Sequence, residues 1–474
     1  MRRVLFLLAL PLCLAAQSIS ITKGLADYQV LQRDGQNRAS AEIEGKAEGA
    51  DGRSVEVRLI GKGGFGWRSA GKVENGAFKA SLNGIPAGGP YKVELRAGGA
   101  STAVSNVLVG DLWVLAGQSN MEGYGDLANL APPNELVNSF DMTDVWRRAE
   151  EPLHRLVDAV DSFHQRGKPR LEGEALKAWI ANRKKGTGVG LPFALEMTRR
   201  TGVPIGLLPC AHGGTSMDQW SPSLKDQGGA SLYGGMLRRV RAVGGKVAGV
   251  LWYQGESDTG VKTAPLYQEK FEKFIAALRD DVGQPQLPFY FVQLGRFVNN
   301  SNPNEWNAVQ EAERLIELKV PRTGMVAAVD LDLDDAIHIG TNDFKRLGKR
   351  LANLACRDLF PDVSACQSVE RGPRPVSARF ENGVIRVAYS GVNGSLRAPG
   401  RIAGFSLWQA TGEPVAAIYK AVVDPKDPSH VLLHIQGRLP DGVVLRYGAG
   451  KDPYCNLVDA ADMAAPVFGP MKLQ

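Results

Sequence analysis

From Leu112 onward, apolar runs of strand length alternate with helical patterns, and no other feature constrains the fold of this chain as strongly. The runs are Leu112 to Ala116, Val203 to Leu208, Val247 to Tyr253, Phe289 to Leu294 and Met325 to Val329. Parallel strands need crossover connections, and the crossovers cover both faces of the sheet, so buried parallel strands read as near-continuous apolar runs between helices. One crossover is plainly helical, because Tyr267, Phe271, Phe274, Ile275 and Leu278 keep a 3.6-residue period. The expected fold class is α/β, a doubly wound parallel sheet.

The flanks have a different texture. From about Ile19 to Val109 short alternating strands put Val55, Val57 and Leu59 on one face and Tyr91, Val93 and Leu95 on another, with turns such as Ala87-Gly88-Gly89-Pro90 between strands. This predicts a small antiparallel sandwich. After Pro373 the same texture returns in Val384 to Ala388 and Val431 to Ile435, giving a C-terminal β domain. The expected limits are 17–105, 106–368 and 369–474. Within the middle domain a polar insertion at about 131–188, with a helix near Leu171 to Asn182, could shape a cleft or decorate the surface.

With 44% hydrophobic residues, 8 Trp, 16 Phe and 11 Tyr, the chain can bury a large core, and general disorder is excluded. Residues 1–16 read as a signal peptide: Arg2-Arg3, the apolar run Val4 to Leu14, then Ala15-Ala16. A lipid-anchored reading through Cys13 is disfavoured by the bulky Leu12 before it. No later window offers ~18 uninterrupted apolar residues, so no membrane span is expected and the protein should be exported, to the periplasm or beyond the cell. Without Arg2 and Arg3 the formal charge falls from +6 to +4, with the signs interleaved, which does not suggest nucleic acid. Of the four remaining cysteines, Cys356 and Cys366 bracket a short loop and are the expected disulfide; Cys210 and Cys455 are a second pair or buried thiols.

In an open parallel sheet, reactive groups gather at the carboxyl ends of the strands. Four of the five runs end in unusual polar segments: Gly117-Gln118-Ser119-Asn120-Met121-Glu122-Gly123, His212-Gly213-Gly214-Thr215-Ser216, Gln254-Gly255-Glu256-Ser257-Asp258, and Asp335-Ala336-Ile337-His338. Ser119 falls where a strand turns into a helix, with Gly117 permitting the turn and backbone N–H groups free to face an oxyanion. That is a nucleophile's place, although an N-cap serine looks the same, and Ser216 and Ser257 are rivals. His338 offers the base and Asp335 an acid to hold its other nitrogen. The acid-x-x-His spacing alone is common: Glu151/His154 and Asp161/His164 share it inside the insertion, while His430 and His434 lie in the terminal β domain.

Gly213-Gly214 and the Gln254 side chain suit an oxyanion hole. Glu256 is either a second acid for His338 or a structural acceptor, and Trp220 with Trp252 either walls a sugar-sized pocket or belongs to the core. There is no His-Glu-x-x-His helix, no paired Cys-x-x-Cys and no phosphate-cradling glycine loop, so the expected chemistry uses neither metal nor cofactor.

Taken together and in this order, Gly117-Gln118-Ser119-Asn120-Met121, Gly213-Gly214-Thr215, Trp252 to Asp258 and Asp335-x-x-His338 resemble the sialate O-acetylesterase-like family of SGNH hydrolases, which includes carbohydrate esterase family 6 acetylxylan esterases. The resemblance is strong over about Asn106 to Leu354. It implies a flavodoxin-like sheet and a serine esterase acting on O-acetylated carbohydrate, with Ser119 as nucleophile, His338 as base, Asp335 as its orienting acid, and an oxyanion hole from Ser119 N–H, Gly214 N–H and Gln254. Many members carry Pro after the histidine where this chain has Ile339. The core motifs read toward acetylxylan esterases, whereas Val30 to Arg33, Gly88 to Tyr91 and Gly110 to Trp113 are similar to bacterial sialate O-acetylesterases. A non-catalytic carbohydrate-binding module is the reading of a different class, and hydrolysis of an aryl acetate separates the two.

Overall fold

The computed structural model describes residues 17–300 and 303–474, so the expected signal peptide lies outside the described residues. There are two compact units, one ending at Val109 and the other running from Gly110 to Gln474. In the first, antiparallel strands follow the hydrogen-bonded order Arg38–Glu48, Ala77–Pro86, Phe65–Glu74, Ser54–Ile60, Gly88–Ala97. The two faces read from the sequence meet directly: Val57 lies opposite Leu95 and Leu59 opposite Val93, and all four are buried in one core with Phe78 and Val73.

The second unit is built on seven strands: β1 (Ala100–Gly117, of which Gly110 onward belongs here), β2 (Val137–Phe140), β3 (Trp146–Arg148), β4 (Ile205–Pro209), β5 (Gly249–Tyr253), β6 (Phe289–Gln293) and β7 (Thr323–Ala327). Their order is β3-β2-β4-β1-β5-β6-β7, parallel throughout except for β3. The five expected strands are thus all present in the spatial order second, first, third, fourth, fifth, which is the flavodoxin-like arrangement. Every residue of β4 to β7 is buried, as helices on both faces require.

The helices are α1 (Ser119–Glu122), α2 (Gly173–Asn182), α3 (Gly190–Thr201), α4 (Leu232–Ala242), α5 (Ala264–Asp281), α6 (Asn304–Lys319) and α7 (Thr341–Leu359). The apolar stripe of α5 packs where its period predicts, with Phe274 4.7 Å from Trp252 between ring centroids. No described helix is long and apolar enough to cross a membrane.

The insertion does more than cover the surface. It supplies β2, whose Val137 pairs with Ile205 and extends the sheet, and β3 beyond it. Asp144 and Asp161 clamp it to α4 through Arg238 at 2.5 and 2.7 Å. Helix α2 forms where expected but has no buried residue.

The C-terminal strands form two four-stranded antiparallel sheets around a core that includes Ile385, Val387, Leu407, Val431, Leu433 and Leu445. They belong to the same compact unit as the parallel sheet. The reason is polar as well as apolar. Gln293 at the end of β6 exchanges two hydrogen bonds with the Val467 backbone, at 2.8 and 2.9 Å. Arg350 on α7, 1% exposed, pairs with Asp330, 5% exposed, at 2.6 Å and donates to the Asp462 carbonyl at 2.6 Å. Cys356 and Cys366 are disulfide-bonded, and Cys210 and Cys455 are buried free thiols.

Removing one partner of a buried, hydrogen-bonded ion pair leaves a charge that water cannot reach. Asp330→Ala should therefore lower the unfolding free energy by about 3–5 kcal/mol, read as a drop in a reversible denaturant melt; a loss below about 1 kcal/mol, the range of exposed pairs, would show that Arg350 finds solvent.

Candidate active site

The site begins at the end of β1. Gly117 has φ +132° and lies so close to β5 that a Cβ there would run into the Tyr253 carbonyl, so glycine is required on both counts. The neighbouring hydrogen bonds, Gln118 N–H to Tyr253 O at 2.8 Å and His212 N–H to Gly117 O at 3.1 Å, hold the β1, β4 and β5 ends together. The chain then turns into α1, whose first residue is Ser119. As a first helical residue its N–H has no intrahelical partner, and among the described residues the N–H groups of Ser119 and Gly214 donate to no protein acceptor. Gly214 has φ +69°. The two segments are adjacent: a Cβ on Gly213 would sit 3.4 Å from Ser119 Cβ.

His338 lies on the loop after β7 and is held from three sides. Asp335 Oδ2 accepts from Nδ1 at 2.8 Å, and the same carboxylate accepts the backbone N–H of Ile337 and His338 at 3.0 and 2.9 Å. These bonds hold the Asp335 carboxyl below its ordinary range despite partial burial. With Nδ1–H committed to Asp335, Nε2 is left to accept a proton. Tyr124 stacks on the imidazole, ring centroids 4.4 Å apart, and its Oη would be 3.4 Å from a Gly213 Cβ, so one tyrosine spans the distance from His338 to the glycine pair. Ser119 and His338 are not directly hydrogen-bonded among the described residues; such bonds often tighten only around substrate.

Asn120, next to Ser119, ties the two loops together. Its Nδ2 donates to Ile337 O at 3.3 Å and its Oδ1 accepts Ile339 N–H at 3.1 Å, bracketing His338, while Nδ2 also donates to Glu256 Oε1 at 2.9 Å. In the sequence Asn120 stands in the Gly117–Met121 motif with no role assigned to it. The signal available was its place directly after the serine.

One expectation changes, that of Gln254, and the alternatives left open for the glycine pair, the tryptophans and Glu256 are decided. Gln254 is wholly buried and its amide donates to Asp258 Oδ2 at 2.6 Å and Thr215 O at 3.0 Å, so both protons are spent bracing the Thr215 loop from below and none faces an oxyanion. Gly213 N–H is taken by Glu122 Oε2 at 2.7 Å, which leaves Gly214 as the free donor of the pair. Trp220 and Trp252 are core residues in edge contact, and Trp220 reaches the site only through Nε1 to Thr215 Oγ1 at 3.1 Å. The partner of Glu256 is Asn120, not His338. Of the rival serines, Ser216 donates its N–H to Gln219 inside its own turn, and Ser257 donates its N–H across to the Gln118 side chain at the end of β1.

The insertion enters here too. Neither Asp161 nor Glu151 holds the histidine three residues on: Asp161 binds Arg238, and Glu151 binds the Gly188 and Leu153 N–H groups. His164 instead meets His212, Nδ1 to Nδ1 at 3.0 Å, and Arg166 donates to His212 Nε2 at 2.7 Å and to Gly213 O at 2.6 Å. An open cleft of about 540 Å³ beside Gly214 is walled by Phe163, Arg166, Thr215 and Gln219.

A buried serine at a strand-to-helix turn, a histidine held by an aspartate and two unspent backbone donors, on a flavodoxin-like sheet, define the class of carboxylic ester hydrolases with the SGNH fold. The chain belongs to the sialic acid-specific acetylesterase family of carbohydrate esterases, which matches residues 109–357. It is 30% identical to a probable carbohydrate esterase of Arabidopsis thaliana over 51% of this chain and 88% of that protein. It is 28% identical to the sialate O-acetylesterase of Homo sapiens, over 55% of this chain and 56% of the human protein. A solved carbohydrate acetylesterase from Xanthomonas citri matches 95% of this chain and 99% of its own length at 26% identity, with a TM-score of 0.66.

Burial pushes the Glu122 carboxyl, 5% exposed, from 4.5 up to about 7. Between those values the unfolded chain ionises while the folded one keeps its proton, so this group's stabilisation is complete below about pH 4.5 and lost as pH rises through about 7. Glu122→Gln retains an acceptor for Gly213 N–H and cannot ionise. Its melting temperature minus that of the wild type should climb between pH 4.5 and 7 and level off above; a flat difference would place the carboxyl's ordinary titration in the folded state.

Proposed function

We propose that this carbohydrate esterase removes O-acetyl groups from acetylated sialic acids, with Ser119 as nucleophile, His338 as general base and acid, Asp335 as the acid that orients it, and the Ser119 and Gly214 N–H groups as the oxyanion hole. The observation that carries the catalytic assignment is the pair of unspent N–H donors flanking Ser119 beside a histidine whose Nδ1 is fixed by Asp335. Two facts support the sugar: the family description names sialic acid, and the human relative is a sialate O-acetylesterase. The Arg2-Arg3 leader and the Cys356–Cys366 disulfide support export to an oxidising compartment.

In this reading Ser119 Oγ attacks the acetyl carbonyl carbon as its proton passes to His338 Nε2. Negative charge gathers on the carbonyl oxygen, where two backbone donors are already aimed and need no reorganisation. The intermediate collapses, the C–O bond to the sugar breaks, and the departing oxygen takes the proton from His338. Water then attacks the acetyl-serine with His338 again as base, and acetate leaves.

Ser119→Ala should abolish acetate release while the fold persists, since loss of a triad member costs several orders of magnitude. Near wild-type turnover in a variant free of contaminating esterase would disprove the assignment.

Asp335→Asn should lower kcat by up to ~10⁴, and Glu256→Gln far less, because Gln can still accept from Asn120. Turnover of both variants, with thermal melts to exclude misfolding, decides between the two acids. For the substrate, acetylated sialic acids should be turned over faster than acetylated xylan fragments in a direct comparison of kcat/KM; the reverse order would make the enzyme a plant-polysaccharide deacetylase.

A further inference from the structure

The insertion carries an arginine that, among the described residues, makes no direct ion pair beside the reacting centre. Arg166 sits in a left-handed conformation, φ 49°, that ends a short 3-10 turn, and its side chain reaches across to the loop after β4. Its two hydrogen-bond partners are His212 Nε2 and the Gly213 carbonyl. Because the guanidinium can only donate, His212 Nε2 must be an unprotonated acceptor. The proton of His212 is then on Nδ1, which points at His164 Nδ1 and donates there, leaving His164 with its proton on Nε2. Both imidazoles are therefore neutral, in keeping with burial pushing His212 down to about 4.

Neutral acceptors fix where a guanidinium sits without cancelling its charge. Among the described residues Arg166 makes no ion pair with a carboxylate. Glu122 lies behind the same peptide, with one oxygen spent on Gly213 N–H, and its field reaches Arg166 without a direct contact. Nη1 and one proton of Nη2 are uncommitted, and Nη2 lies 3.9 Å from the position of a Cβ on Gly214. The residue lines the open cleft of about 540 Å³ with Phe163, Gly214, Thr215 and Gln219. The cation thus faces the cleft within a few ångströms of the free Gly214 N–H.

We propose that Arg166 is the substrate-binding residue that recognises the carboxylate of an acidic sugar and so sets the preference for acetylated sialic acids over acetylated neutral sugars. The inference rests on the sialate reading above. A planar guanidinium offers paired N–H donors that match a carboxylate, a group that acetylated sialic acid carries and acetylated xylose lacks. The held geometry also matters: with Nε and Nη2 already anchored, little side-chain freedom is lost when a second partner binds.

The test compares acetate release from an O-acetylated sialic acid with release from its carboxyl methyl ester, which keeps the acetyl group and removes the charge. Wild type should favour the free acid by about 10- to 100-fold in kcat/KM, the range for hydrogen bonds to a charged group. Arg166→Gln should bring that ratio to about 1, with the loss mainly in KM for the free acid, and Arg166→Lys should restore part of it. If both substrates fall together in Arg166→Gln and the ratio is unchanged, Arg166 is only a strut for the Gly213 peptide and the proposal is overturned while the sialate reading stands. If wild type prefers acetylated xylan fragments and releases no acetate from the sialate, the sialate reading has failed and this inference falls with it.

Discussion

The close approach of Gly117 to Tyr253 is the constraint from which the rest of the site follows. In a parallel sheet the middle strand is flanked on both edges, and at the end of β1 the backbone is gripped on one side by Tyr253 and on the other by His212. Only a residue without a side chain fits there, and only a positive φ lets the chain leave the sheet at once. The next residues therefore emerge in fixed directions: Ser119 with an orphan N–H, Asn120 toward the loop after β7, and Glu122 toward the loop after β4. A larger residue at 117 would move all three together, so the three loops form one unit whose common origin is a backbone contact.

That unit is costly to assemble. Glu122 and Glu256 both carry carboxyls pushed up to about 7 by burial. Burial of such groups stabilises nothing by itself. What they provide is direction: Glu122 fixes the Gly213 peptide, and Glu256 fixes Asn120, which brackets His338. Only Asp335 works the other way, with three donors keeping it ionised at the edge of the site. The acids thus divide into two buried ones, which hold the Gly213 peptide and the Asn120 side chain, and one exposed one, Asp335, which holds His338.

How much of this was legible in the sequence depended on whether the signal was local. The five apolar runs were legible because burial on both faces writes itself into each strand, and the order of the strands brought their polar ends together as expected. The Asp335–His338 bond, three residues apart, was legible for the same reason. Gln254 was misread because a strand-end amide looks the same whether it faces the cleft or braces a loop; what decides is Asp258, four residues on, together with the Thr215 carbonyl from another strand. Val137 to Phe140 escaped notice as a strand because it is four residues long inside a polar stretch. The boundary expected near residue 369 followed a change of texture, but Arg350, Asp330 and Asp462 lie far apart in the chain and no composition shift records that they meet.

The position of the insertion gives it a particular consequence. It leaves the sheet at the carboxyl end of β1, the end where the reactive loops lie, so any segment placed there can reach the reacting centre without disturbing the strands that build it. Its own fold is secured elsewhere, by β2 on the sheet edge and by Asp144 and Asp161 on Arg238. Ser162 to Gly167 are therefore presented to Gly213 and Gly214 from a rigid base rather than a free loop. In the reading proposed above, the reacting groups stand on loops that leave the strands of the sheet, whereas Arg166 stands on the insertion. On that reading, substrate preference changes through the insertion with Ser119, His338 and Asp335 left in place.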